Sequence, residues 1–352
     1  MKADVHIVGA SMIGPQPGFG RDALERVVAY DTHPMKAMEP DLSGYVDPMR
    51  GRRMAKVARI SLGCGLQALE RAGVARPEAI IVGTGLGCME STERFFASVL
   101  QQDEEAPSPV AFIQSTHNNV AGQLALAVKC TGYNFTYLHR GLSFTSALLD
   151  AWLQVGREGA RNVLAGGAEV ITDDYFITQR HTGIWKPAIK SNLSVLNSTD
   201  TGALCGEGAA FFVLDNVPRG KDSVRIRDVD ISWRGDAKGI VPHVKDFIRR
   251  NGLAPGDIDL VMLGPNGDAV QDRGYDPTAA LLPQATVATF KPLCGEYYAA
   301  NAFGLWLCRS AMVTGGLPPE VVLHGSARGD FRRVLLYDHY QLKDHSLVLL
   351  ER

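Results

Sequence analysis

Val163-Leu164-Ala165-Gly166-Gly167-Ala168-Glu169 decides the reading of the fold. An apolar run enters two glycines and leaves on an acid, the pattern of a buried strand ending in a small-residue turn. Working outward, residues 5–10 form a similar run, and 79–84 end in Gly83-Thr84-Gly85. Helical spacing lies between the runs. In residues 52–72, Met54, Val57, Ala58, Leu62, Leu66 and Leu69 share one face. Residues 118–129 read as a helix and 135–139 as a strand. Residues 145–155 read as a helix with Ser143 as its N-cap, and 210–214 as the strand ending the first half. The second half repeats the rhythm. It has strand 224–231, helix 244–251, strand 260–263, a long helix 296–312 and closing strands 334–337 and 346–350. Such alternation predicts an α/β fold with buried mixed sheets. Two halves, 1–216 and 217–352, are expected to form one integrated domain. Residues 101–109, rich in acids and prolines, are expected to be a surface loop.

The 352 residues suffice for a sizeable core. Lys+Arg 36 against Asp+Glu 38 leaves a net charge of -2. No basic excess points to nucleic acid, and no charge block to a membrane surface. No apolar run approaches the roughly 18 residues of a membrane span. Asp4 and His6 interrupt the position a signal peptide would occupy, so a cytoplasmic location is expected. The six cysteines form no Cys-x-x-Cys pair and lie near no His at zinc spacing. They are expected to be reduced core residues, with no metal bound. Gly83-Thr84-Gly85-Leu86-Gly87 lacks the spacing of a dinucleotide-binding loop.

Several motifs follow one another in a fixed order. Arg52-Arg53-Met54 opens a helix ending in Ala68-Leu69-Glu70-Arg71-Ala72-Gly73, and Val82-Gly83-Thr84-Gly85 follows a strand. Then come Asn118-Asn119-Val120-Ala121-Gly122, Ala165-Gly166-Gly167-Ala168-Glu169 and Gly206-Glu207-Gly208-Ala209. Asp257-Ile258-Asp259-Leu260 and Lys291-Pro292-Leu293-Cys294-Gly295 complete the series. In this order the sequence resembles the β-ketoacyl synthases of the thiolase-like fold, over nearly the whole chain. It is shorter than that family, chiefly between Glu169 and Gly206. The resemblance implies a five-layer α-β-α-β-α arrangement of two similar halves with mixed five-stranded sheets. It also implies pairing through a strand and helix near the first-half elbow. The family condenses an acyl thioester with malonyl-carrier protein. Its Cys nucleophile sits at a helix N-terminus, where dipole and backbone N–H groups favour thiolate and oxyanion, and two His residues assist. No cofactor is implied beyond the 4'-phosphopantetheine arm of an acyl carrier protein.

This chain departs from the family at the chemistry. Twenty-four positions before Ala165, where the resemblance places the nucleophile, stands Gly141. A glycine cannot form an acyl thioester, and it is expected to enlarge any cavity there. Asn266 replaces the first family His and Glu296 the second, while Lys291 matches the family Lys. Asn266 does not shuttle protons near neutral pH, and a negative Glu296 opposes a developing enolate. Lys291 and Glu296 are equally readable as a structural ion pair. Where the family has a glycine-rich gating loop, the chain has Asp338-His339-Tyr340-Gln341-Leu342, and only Tyr340 keeps a gate-like aromatic. Candidates for a tunnel or interface are His117, His139, Arg140, Trp185, Cys294 and Tyr340. Structural polar groups (for the His and Arg) and core packing (for Trp185 and Cys294) are the blander alternatives.

Such losses resemble those of chain-length-factor subunits of type II polyketide synthases, which pair with an active ketosynthase. The compact length and Gln114-Ser115-Thr116-His117-Asn118 look similar to proteins of aryl-polyene pathways. The expectation is a non-catalytic subunit, partnered by an active ketosynthase homologue and an acyl carrier protein. Two alternatives stay open. One is an enzyme of altered chemistry using Asn266 and Cys294, and the other is a homodimeric acyl-binding protein.

Overall fold

The computed structural model describes residues 3–101, 109–233 and 239–352. The first half contributes β1 (His6–Ile13), β2 (Ala79–Gly83), β3 (Tyr133–Tyr137), β4 (Asn162–Glu169) and β5 (Gly208–Asp215). The second contributes β6 (Val224–Trp233), β7 (Leu260–Leu263), β8 (Thr286–Thr289), β9 (Val322–His324), β10 (Arg333–Tyr340) and β11 (Asp344–Glu351). Their spatial order is β3-β2-β4-β5-β1-β6-β11-β10-β7-β8-β9. With β9 set aside as an added edge, each half reads outward from the centre as its first, fifth, fourth, second and third strand. The halves are topological repeats. They meet at a short seam where His6 pairs with Arg225 and Ile7 with Val224.

Alternation along the strands builds the layers. In β5, Ala210, Phe212 and Leu214 face inward, onto the helices Ser143–Leu153 and Ala300–Thr314. Phe211 and Val213 face outward, under the helices Lys56–Ala72 and Asn119–Val128. In β10, Val334 and Leu336 join the central layer, while Leu335 and Tyr337 pack under the helix Ile240–Arg250. The sequence is therefore helix, sheet, helix, sheet, helix, the expected five layers. Helix Ala300–Thr314 is buried on nearly all sides, as its small and aromatic residues require.

Some local expectations differ. Ser143 is not an N-cap but the first helical residue. Its hydroxyl donates to Arg140 O and accepts from His139 N–H, bracing the elbow. The long C-terminal helix begins at Ala300 rather than at 296, because residue 296 is held extended by a bridge to Cys205. Residues 102–108 of the expected loop lie outside the described residues.

Candidate functional site

Strands β7, β8 and β10 run parallel, so their C-terminal ends converge. Beyond or at those ends lie Asn266, Lys291 and Asp338. Glu296 joins them from the bridge that sets it beside Cys205; its N–H donates to Leu204 O. The parallel strands β2, β3 and β4 likewise carry Gly83, the elbow and Glu169 at their C-terminal ends. The site lies between these two sets.

Lys291 is fully buried. Its Nζ donates to Glu296 Oε2 and to Asp338 Oδ1, both at 2.8 Å. Asn266 Nδ2 donates to the same Glu296 oxygen at 2.8 Å, and Tyr275 OH to Asp338 Oδ1 at 2.8 Å. Burial disfavours the charged ammonium, but Asp338 and Glu296 overcome it and hold the Lys291 pKa raised. One ammonium cannot neutralise two carboxylates. Burial, with Asp338 adding to it against the pull of Lys291, keeps the Glu296 pKa raised. Asn266 is fixed as well: its Oδ1 accepts Asp268 N–H, and its own N–H donates to Asp272. Burial lifts the Asp272 carboxyl to about 6.

At the elbow, Gly141 presents no side chain. A Cβ at Gly141 would stand 2.3 Å from the Cβ of Tyr340, far inside contact distance. The cavity expected beside Gly141 is thus absent; Tyr340 fills it. Tyr340 also packs on Tyr298, ring centroids 5.5 Å apart, and Tyr298 OH lies 3.4 Å from Tyr175 OH. The space enclosed by Ile171, Tyr175, Ile184, Tyr297, Tyr298 and Tyr340 has room for about one water molecule. Trp185 and Glu296 stand on the wall between that space and an open cleft passing Asn266, Gln271 and Gln341.

Other candidates separate from this group. Cys294 is fully buried and donates to Gly295 O; burial pushes its thiol well up, away from the reactive range. His117 packs against Gly87 on the outer side, and His139 Nδ1 lies 3.1 Å from Ser146 Oγ. Arg140 is exposed, with φ +49. The glycine turn after β2 is occupied from within. Glu169 accepts from Thr84 Oγ1 at 2.6 Å and from the N–H groups of Gly85 and Leu86. Burial lifts the Glu169 pKa to about 7. Sequence reading missed Asp338 as the second anion on Lys291, and Tyr275, Tyr298 and Tyr175. The one available signal was the aromatic pair Tyr297-Tyr298 directly after Glu296. Among the described residues no group of three or more His, Cys, Asp or Glu side chains is placed to hold a metal, and no helix is long and apolar enough to cross a membrane.

Residues 27–199 match the family model of the β-ketoacyl synthase N-terminal domain. No curated protein matches the sequence. Among solved structures, the ishigamide ketosynthase/chain length factor superposes with a TM-score of 0.80 at 16% identity, covering 100% of this chain and 99% of that one. The ketosynthase ApeO in complex with its chain length factor ApeC from Xenorhabdus doucetiae gives 0.77 at 14% identity, covering 99% and 98%. AntDE:AntF, a type II acyl-carrier protein in complex with its ketosynthase bound to the hexaketide, gives 0.79 at 11% identity, with both chains fully covered. The chain has the fold of these ketosynthase structures, and its first half matches the β-ketoacyl synthase N-terminal domain.

Proposed function

We propose that this chain is a non-catalytic, chain-length-factor-type subunit that pairs with an active ketosynthase and shapes the channel for the growing acyl or polyene chain. The observation that carries this is the elbow: Gly141 has no side chain, and Tyr340 occupies the space a thiol would need. The two positions of the family histidines are spent on a Lys-centred ion cluster. Support for pairing comes from β3, an unpaired sheet edge carrying exposed Tyr133 and Phe135. Support for the partner class comes from the similar ketosynthase complexes, one with a chain length factor and one with an acyl carrier protein. In this reading the carrier protein presents its 4'-phosphopantetheine arm to the partner's nucleophile, and the pair resides in the cytoplasm. Asn266 and Cys294 have their polar atoms engaged, so altered chemistry through them has little support.

The test is co-expression with a ketosynthase and a carrier protein, followed by mass spectrometry of carrier-bound products. The expected result is a co-purifying pair that makes products of one length class. Acylation of this chain itself, or unchanged products without it, refutes the reading.

A further inference from the structure

The edge strand β3 is bracketed by two cations. Lys129 ends the helix before it, and Arg140 opens the elbow after it. Both side chains are exposed, and both residues hold a left-handed backbone, φ +53 and +49, which fixes where they project. Neither has an ion-pair partner among the described residues. Between them, Tyr133 and Phe135 are 42% and 46% exposed, with rings stacked 6.0 Å apart. The nearby carboxylates are engaged. Asp150 accepts from Tyr133 OH and Tyr137 OH, and Glu78 accepts from Arg161 N–H.

An edge strand that pairs with its own copy about a two-fold axis must run antiparallel. Centred on Phe135, that pairing sets Phe135 against Phe135 and turns the Arg140 end of one β3 toward the Lys129 end of the other. The contact occurs twice per dimer. Each time it opposes two cations across a half-buried edge, where like charges destabilise pairing. The apolar strip thus favours a partner strand while the brackets disfavour an identical one.

We infer that Lys129 and Arg140 set partner choice at the β3 edge, rejecting a second copy of this chain and accepting a same-fold chain with acidic residues at the matching ends of its own edge strand. The inference rests on the proposed pairing, and it specifies the partner's chemistry.

Sedimentation of the purified chain tests it without any ketosynthase. At low ionic strength the wild type is expected to be largely monomeric. Lys129→Glu and Arg140→Glu each turn the cation pair into an ion pair, and each should tighten the dimer by about tenfold or more. The double reversal restores like charge and should return the monomer. Added salt should strengthen wild-type self-association and weaken that of the single variants. A wild-type dimer as tight as the variants, or single reversals without effect, overturns the inference. Ketosynthase capture is scored separately. If capture fails while the reversal pattern holds, the pairing assignment falls and the self-rejection stands.

Discussion

Lys291 shows how Asn266 and Glu296 are tied into one buried ion cluster. Its ammonium is buried between Glu296 and Asp338, and only one of the two anions is needed to neutralise it. Removing the cation leaves two buried carboxylates without their counter-charge. Lys291→Met should therefore cost about 3–5 kcal/mol. Glu296→Gln leaves the Lys291–Asp338 pair and keeps an acceptor for Asn266, so it should cost less than about 1 kcal/mol. Urea unfolding of both variants measures the difference; equal losses would mean that Asp338 alone does not balance the lysine. Glu169 supplies a pH signature. Its folded pKa of about 7 lies above the ordinary carboxyl value, because burial outweighs the three hydrogen bonds it accepts. The folded state then holds a proton that the unfolded state has lost. This contribution is full below about pH 4.5 and is lost as pH rises through about 7, by roughly 3 kcal/mol in all. Glu169→Gln should flatten that part of the stability–pH curve between pH 5 and 8. A slope unchanged in the variant would assign the titration elsewhere.

Elements explain why Gly141 and Tyr340 belong together. The elbow follows β3 in the first half, and the hairpin at Tyr340 ends β10 in the second. Gly141→Ala puts a Cβ into Tyr340 and should cost about 1–3 kcal/mol. In the background of Tyr340→Gly the same change should cost almost nothing, and a double-mutant cycle reads that coupling directly. The hairpin turns through Gln341 and Leu342 at φ +53 and +58, which non-glycine residues adopt at a cost. Gln341 is exposed, so Gln341→Gly should raise stability by up to about 1 kcal/mol in thermal melts. The same two elements mark how far the sequence could be read. Runs ending in small residues showed β2 and β4, and helical spacing showed Lys56–Ala72, because these signals are local. β7 and β8 both have four residues, but Leu260–Leu263 is an unbroken apolar run whereas Thr286–Thr289 begins and ends on Thr, and β9 has only three residues. Counting from Ala165 located Gly141, and resemblance located Asn266, Lys291 and Glu296. Asp338 was not legible as a partner of Lys291, since 47 residues separate them and only strand order brings them together. The filling of the elbow by Tyr340 was hidden for the same reason: a glycine read alone suggests space, and the residue that takes that space comes from the other half.

At the scale of the molecule, the two halves repeat one topology but share one core. A single hydrophobic cluster runs from Ile7 in β1 to Leu350 in β11, with helix Ala300–Thr314 inside it. Trp152, on the elbow helix of the first half, donates through Nε1 to Ile226 O in the second at 3.0 Å. The β1–β6 seam adds ladder pairing between the halves. Separating them would bare the inner faces of both sheets and a helix that has almost no polar side. That exposure is large against the marginal stability of any domain. The chain should therefore unfold in one cooperative transition in urea, with far-ultraviolet circular dichroism and tryptophan fluorescence coinciding. Of the four tryptophans, Trp152, Trp185 and Trp306 belong to the central cluster and Trp233 is exposed, so the fluorescence change on unfolding comes chiefly from the central layer. Residues 217–352 expressed alone should not fold, because their strands keep only one covered face. Two resolved transitions, or a folded C-terminal fragment, would show that the halves are separable units and that the site between them is a docked interface.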